Sequence, residues 1–260
     1  MTRLVDTHAH IDVEEFADDR DAVIARAAAA GVTRQIVPAI EAATWPQLRE
    51  VCARHDGLHA AYGLHPMFLE RHETAHLDRL REWIARERPV AVGECGLDHF
   101  VEGLDRERQA ALFDAQLRIA RDFDLPVIVH ARHAVDAVIA ALRRIGGLRG
   151  VVHSFSGSRQ QAETLWKLGF LVGLGGPVTY ERANRLRTLA ATMPIEFLLL
   201  ETDAPDQPGA CHRGERNEPA HLVEVLHCIA ALRGEDAGAV ARATTANAER
   251  LFGFSPRASA

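Results

Sequence analysis

Eight short runs rich in Val, Ile and Leu punctuate the chain, at Leu4–Thr7, Gln35–Ala39, His59–Gly63, Val90–Gly93, Val127–His130, Val151–His153, Leu171–Gly173 and Leu198–Glu201. Between them lie longer stretches, such as ERQAALFDAQLRIARDF and AVDAVIAALRRIG, whose apolar residues recur every three to four positions. Strand-length runs separated by amphipathic helices build repeated βα units on a parallel sheet. Eight such units in 260 residues predict an α/β (β/α)8 TIM-like barrel, with closing helices over Pro219–Leu232 and Ala237–Phe252. A doubly wound open sheet is the alternative, but no Gly-rich phosphate loop follows the first run to support it. No low-complexity linker or internal repeat divides residues 1–260, so one domain is expected.

Composition narrows the function. The chain enters LVD almost directly after Met1, and no apolar run is long enough to span a bilayer, so a cytoplasmic protein without membrane contact is expected. Cys52, Cys95, Cys211 and Cys228 are widely spaced without a C-x-x-C pair, which argues for free thiols rather than a zinc finger or a disulfide framework. The formal charge is −6, Lys167 is the sole lysine, and no basic run is present, which excludes a duplex-coating protein. Nothing points to an obligate protein partner.

In a parallel barrel the site lies where the strands end, and these ends carry the chemistry. The first run leads into THAHID, where alternation along extended backbone turns His8 and His10 to one side. The third leads into YGLHP with His65, and the fourth into GECGLD with Glu94 and Asp98. The fifth ends in VIVHAR with His130, the sixth in HSFSG with His153, and the eighth in ETDAP with Glu201 and Asp203. Imidazole nitrogens mixed with carboxylates suit divalent zinc or manganese, and accept magnesium with added water. The donors suffice for two divalent ions, and Glu94, with two oxygens, is the natural bridge.

THAHID, YGLHP, GECGLD, VIVHAR, HSFSG and ETDAP, in this order, resemble the TatD family of metal-dependent hydrolases, from Leu4 to about Phe252. The resemblance implies a metal-dependent deoxyribonuclease on a TIM-like barrel. It implies His8, His10, Glu94, His130, His153 and Asp203 as metal ligands and His65 as a further active-site histidine. RGERNEP, residues 213 to 219, resembles the loop after the family's last strand. Two positions depart from the pattern. Cys95 replaces a common aliphatic residue and should face away from Glu94 as packing. His99 replaces a common aromatic, either to stack on a base or merely to face solvent.

Phosphodiester hydrolysis assigns Asp203 as ligand and proton acceptor for the attacking water, Glu94 as the catalytic bridge, and His65 as a phosphate or leaving-group contact. Asp98 either orients a ligand or starts a turn. Arg132 is a candidate phosphate contact or a surface charge. The acidic balance predicts few phosphate contacts and attack at strand ends by an exonuclease whose partner is single-stranded or frayed DNA. An amidohydrolase-type enzyme opening a lactone, cyclic amide or phosphoester is the catalytic rival. Many such sites bridge their ions with a modified lysine, and Lys167 lies in a helical stretch instead of at a strand end. A non-catalytic metal-binding barrel would normally lack a ligand, and none is missing.

Overall fold

The computed structural model describes residues 3–254. Eight parallel strands, β1 (Leu4–Asp6), β2 (Val32–Pro38), β3 (Leu58–Tyr62), β4 (Ala91–Asp98), β5 (Val127–Arg132), β6 (Gly150–Val152), β7 (Phe170–Leu174) and β8 (Leu198–Leu200), pair in sequence order. Closure comes from the backbone at and just beyond the ends of the two terminal strands. Thr7 N–H donates to Leu200 O at 3.1 Å, Asp203 N–H to His8 O at 2.9 Å, and His10 N–H to Ala204 O at 2.7 Å. Buried Asp6 reinforces this seam by accepting from the Thr202 hydroxyl at 2.6 Å and from Thr202 N–H at 3.0 Å. The predicted barrel is the observed architecture.

Helices α1 (Arg20–Ala29), α2 (Trp45–Ala53), α3 (Ala75–Glu87), α4 (Arg106–Asp122), α5 (Val135–Ile145), α6 (Arg159–Lys167) and α7 (Asn184–Thr192) follow β1 to β7 in turn. After β8 come α8 (Leu222–Arg233) and α9 (Ala237–Phe252). α7 falls where the sequence reading names no helix, and the expected start at Pro219 is a 3-10 turn, Pro219–His221, leading into α8. Caps mark several starts: Asp105 accepts from Glu107 and Arg108 N–H, and Ser158 and Gln161 form a reciprocal capping box.

The inner cluster contains one residue from each strand: Val5, Ile36, Ala61, Ala91, Ile128, Val151, Leu171 and Leu199. Ala248, Leu251 and Phe252 of α9 join it. Two residues further along each strand, the same alternation gives Thr7, Pro38, Gly63, Gly93, His130, His153, Gly173 and Glu201. The apolar floor therefore gives way in one step to a layer of glycines and polar residues, Pro38 being the exception. β4 shows how the glycines act. It runs through Glu94 to Asp98 instead of ending at Gly93, and its register against β5 shifts between Val92 and Cys95. A side chain at Gly63 would bring Cβ to 2.6 Å from Gly93 C, so only glycine lets the shifted backbone approach β3.

Candidate active site

Glu94 occupies the centre of the mouth. Its Oε2 lies 3.0 Å from His8 Nε2 and 3.5 Å from His10 Nε2. Its Oε1 lies 2.7 Å from His153 Nε2, 2.8 Å from His65 Nε2 and 3.0 Å from His130 Nδ1. Asp203 closes the first group, with Oδ1 at 3.5 Å from His8 Nε2 and 3.7 Å from His10 Nε2. The expected ligand residues and His65 thus converge around one carboxylate, and Glu94 is 1% exposed.

Hydrogen bonds on the outer side of the rings assign their inner sides. His10 Nδ1 is 3.1 Å from Pro38 O, an acceptor only, so Nδ1 carries the proton and Nε2 presents a lone pair. His130 Nε2 likewise meets Asp98 Oδ2 at 3.0 Å and leaves Nδ1 as the inward donor of electrons. His8 Nε2 lies only 3.2 Å from the His10 Nε2 lone pair and 3.0 Å from buried Glu94 Oε2, and one ring nitrogen cannot donate a single proton fully to both. Such a gathering of electron pairs fits a cation better than a hydrogen-bonded core. His8, His10 and Glu94 have ligand atoms close enough to surround an ion, as do His8, His153 and Glu201, and His65, Glu94 and His130.

His65 differs in one respect. Its Nδ1 accepts from Met67 N–H at 3.1 Å, so the proton of the neutral ring resides on Nε2, the atom facing Glu94. Burial lowers its pKa to about 4, which keeps the ring neutral. His65 therefore offers the site a hydrogen-bond donor.

The other shifts follow from crowding. Burial opposes charge on Glu94, but His153, His65 and His8 outweigh it and hold Glu94 well below the ordinary carboxylate range. Burial raises Asp203. Burial also raises Glu201, to about 8, partly offset by His153. Asp203 sits at φ 60°, a left-handed conformation unusual for a residue other than glycine, and its Oδ2 accepts from Gln207.

Several positioning residues escaped the sequence reading. Asn217, in the RGERNEP loop, donates through Nδ2 to Thr202 O and Asp206 O, both at 2.8 Å, and so clamps the turn that carries Asp203. Gln109 and Gln116 lie on one face of α4. Gln116 accepts from Leu64 N–H at 2.8 Å beside His65, and Gln109 accepts from Asp98 N–H at 3.1 Å. Two glutamines seven residues apart in an otherwise apolar helical stripe were the available signal. Glu201, noted at a strand end but given no role, accepts from Ser154 N–H and brings Oε1 to 4.0 Å from His153 Nδ1.

Asp98, Arg132 and His99, each given two readings from the sequence, are placed as follows. Asp98 orients His130 and also shapes a turn, its Oδ1 accepting from Phe100 N–H at 2.9 Å and Val101 N–H at 3.0 Å. Arg132 is exposed, lines the cleft, and stacks on Phe100. Cys95 is packed in the core, as expected, and His99 is half-buried. The cleft over Glu94 encloses ≈ 730 Å³, bounded on its apolar side by Met67, Phe68, Phe155 and Leu174. Lys167 is exposed in the last turn of α6, away from this lining. Among the described residues no helix is long and apolar enough to cross a membrane.

The family model described as TatD related DNase matches residues 5–253. The metal-dependent hydrolase YjjV of Escherichia coli K12 is 43% identical over 255 residues, covering 97% of this chain and 98% of its own. The crystal structure of the YjjV TatD homolog superposes with a TM-score of 0.93 at 41% identity, covering 98% of this chain and 99% of that one. The 3'-5' ssDNA/RNA exonuclease TatD of Shigella flexneri is 35% identical over 262 residues, 96% of this chain and 99% of its own. With its barrel and its convergent His and carboxylate side chains, the chain belongs to the TatD family of metal-dependent hydrolases.

Proposed function

We propose that this hydrolase is a two-metal phosphodiesterase that removes nucleotides from the ends of single-stranded or frayed DNA. The observation that carries the reading is the division of Glu94. Oε2 faces His8 and His10, whereas Oε1 faces His130 and His153. One carboxylate serving two sets of nitrogens is the arrangement of a bridge. His8, His10, Asp203 and Glu94 Oε2 would hold one divalent ion, zinc, magnesium or manganese, and His130, His153 and Glu94 Oε1 the other. Bound there, the pair supplies an activated water, neutralises the phosphate and stabilises the departing oxygen.

The side chains complete the reaction. Water adds to phosphorus, the bond to the leaving oxygen breaks, and the proton released by the water passes to the Asp203 carboxylate, which stands at the mouth beside His8 and His10. His65 directs its Nε2–H to a phosphoryl or leaving oxygen and, being neutral, does not repel the ions. Arg132 adds an edge of N–H donors for phosphate from the cleft wall. The single-strand specificity and 3'-5' direction in the name of the Shigella relative support attack at the 3' end. Four cysteines without a disulfide are consistent with a reducing cytoplasm.

End-labelled single strands followed by gel electrophoresis test the reading. Mononucleotides should appear from the 3' end, cease with a chelator, and return with added divalent metal. Internal fragments appearing first would overturn end attack. Hydrolysis confined to lactones or cyclic amides would replace the nuclease with the amidohydrolase-type alternative.

A further inference from the structure

Beside the site, the loop after β4 and the last residue of β5 build a stacked pair that the hydrolytic chemistry does not require. The Arg132 guanidinium carbon lies 3.7 Å from the Phe100 ring centroid. Phe100 is 50% exposed, the most exposed of the large apolar side chains among the described residues. His133 meets the same ring edge-on, with centroids 5.1 Å apart. Arg132 lines the cleft, Phe100 does not, and no carboxylate among the described residues pairs with Arg132. A guanidinium backed by an aromatic ring and open on its other face is a flat, weakly hydrated cation ready to stack again.

The pair is fixed relative to the catalytic centre. Asp98 holds His130 through Oδ2 and the Phe100 and Val101 amides through Oδ1. His99 N–H donates to Arg132 O at 2.9 Å and ties the loop after β4 to the end of β5. One carboxylate thus sets both an inward histidine and the aromatic backing of the guanidinium.

We infer that Phe100 and Arg132 form a nucleobase subsite, in which an unpaired base stacks on the cleft face of Arg132 while the neighbouring phosphate lies at the Glu94 centre. This inference rests on the nucleic-acid reading of the site. A base within a duplex has both faces occupied by its neighbours, whereas an unpaired terminal base can offer one to the guanidinium. The subsite supplies affinity for single strands without a basic track, which a chain of net charge −6 lacks. It also distinguishes a stacking plane from a point charge, because lysine keeps the charge of Arg132 and loses the plane.

The experiment measures KM and kcat of the metal-loaded enzyme on two single strands, one ordinary and one with an abasic residue at the attacked end. Wild type should favour the ordinary strand in KM, by about 5- to 150-fold for one stacked base. Phe100→Ala, Arg132→Ala and Arg132→Lys should each lose most of that preference. Circular dichroism and metal content confirm that the variants are folded and loaded. If Arg132→Lys retains the full preference, or Phe100→Ala leaves it intact, the stacking subsite is overturned and the nuclease reading stands. If wild type cleaves neither strand under conditions where it hydrolyses another substrate, both are overturned.

Discussion

Asp98 Oδ2 lies 3.0 Å from His130 Nε2, on the side of the ring opposite the centre that Nδ1 faces. Burial opposes charge on Asp98, but the hydrogen bonds from His130 and from the Val101 and Phe100 amides prevail and hold it at about 2. It is a carboxylate throughout the working pH range, and it fixes both the tautomer and the orientation of His130. Asp98→Asn should weaken metal binding by about 10- to 100-fold, as loss of an outer carboxylate partner does, with the fold retained. Competition with a metal-sensitive dye measures this, and unaltered affinity would leave Asp98 only its turn.

His65→Ala should keep its metal yet lose turnover by about 10² to 10⁴, the cost of removing one proton-transfer or charge-stabilising group. The basis is the Met67 N–H, which occupies Nδ1 and leaves the proton on Nε2. A variant that purifies without metal would make His65 a ligand and contradict this tautomer.

Gly173→Ala should damage the site through packing alone. A Cβ at this position would collide with the buried Glu201 carboxylate, which leans over β7 towards His153. A stability loss of about 1–3 kcal/mol is expected from such overpacking, together with lower activity. Urea denaturation of the metal-free chain separates the first effect from the second, and a wild-type midpoint would show that Glu201 moves freely.

These positions mark where the sequence is readable. His130, His153 and Glu201 were legible because each stands two residues beyond an apolar residue of the barrel floor, so alternation alone lifts them to the mouth. His8 and His10 were legible from their spacing, although β1 ends at Asp6 and the pair is carried by extended backbone beyond it. The continuation of β4 through Glu94 was not legible. It depends on the register shift beside β5 and on the absence of a side chain at Gly63, a contact across strands. Asn217, Gln109 and Gln116 were hidden for the same reason, since each bonds backbone at least 11 residues away that only the closed barrel brings near. The Arg132 and Phe100 stack joins the end of β5 to the loop after β4, and no periodicity in that loop betrays its partner.

A pH effect should arise away from the cleft. His212 donates to Glu215 at 2.9 Å and to Glu224 at 2.8 Å, and these bonds raise its pKa. A histidine raised on folding contributes stability that is fully present below its unfolded pKa of about 6.5 and is lost as pH rises through the folded value. His212 is partly exposed, so the contribution is expected to stay below about 1 kcal/mol. Melting of wild type and His212→Gln from pH 5.5 to 9 tests it. The difference between them should shrink as pH rises, and a constant difference would show that charge on His212 contributes nothing.

Metal stoichiometry of wild type and Glu94→Gln, determined by mass spectrometry on folded, desalted chains, tests the bridge most directly. Gln presents one neutral carbonyl oxygen and an NH2 that cannot coordinate a cation, so it cannot serve both sets of histidines. Two equivalents of divalent metal are expected in wild type, and less than one in the variant, with activity lost in parallel. A folded Glu94→Gln chain that retains the wild-type metal content would contradict a centre bridged by Glu94.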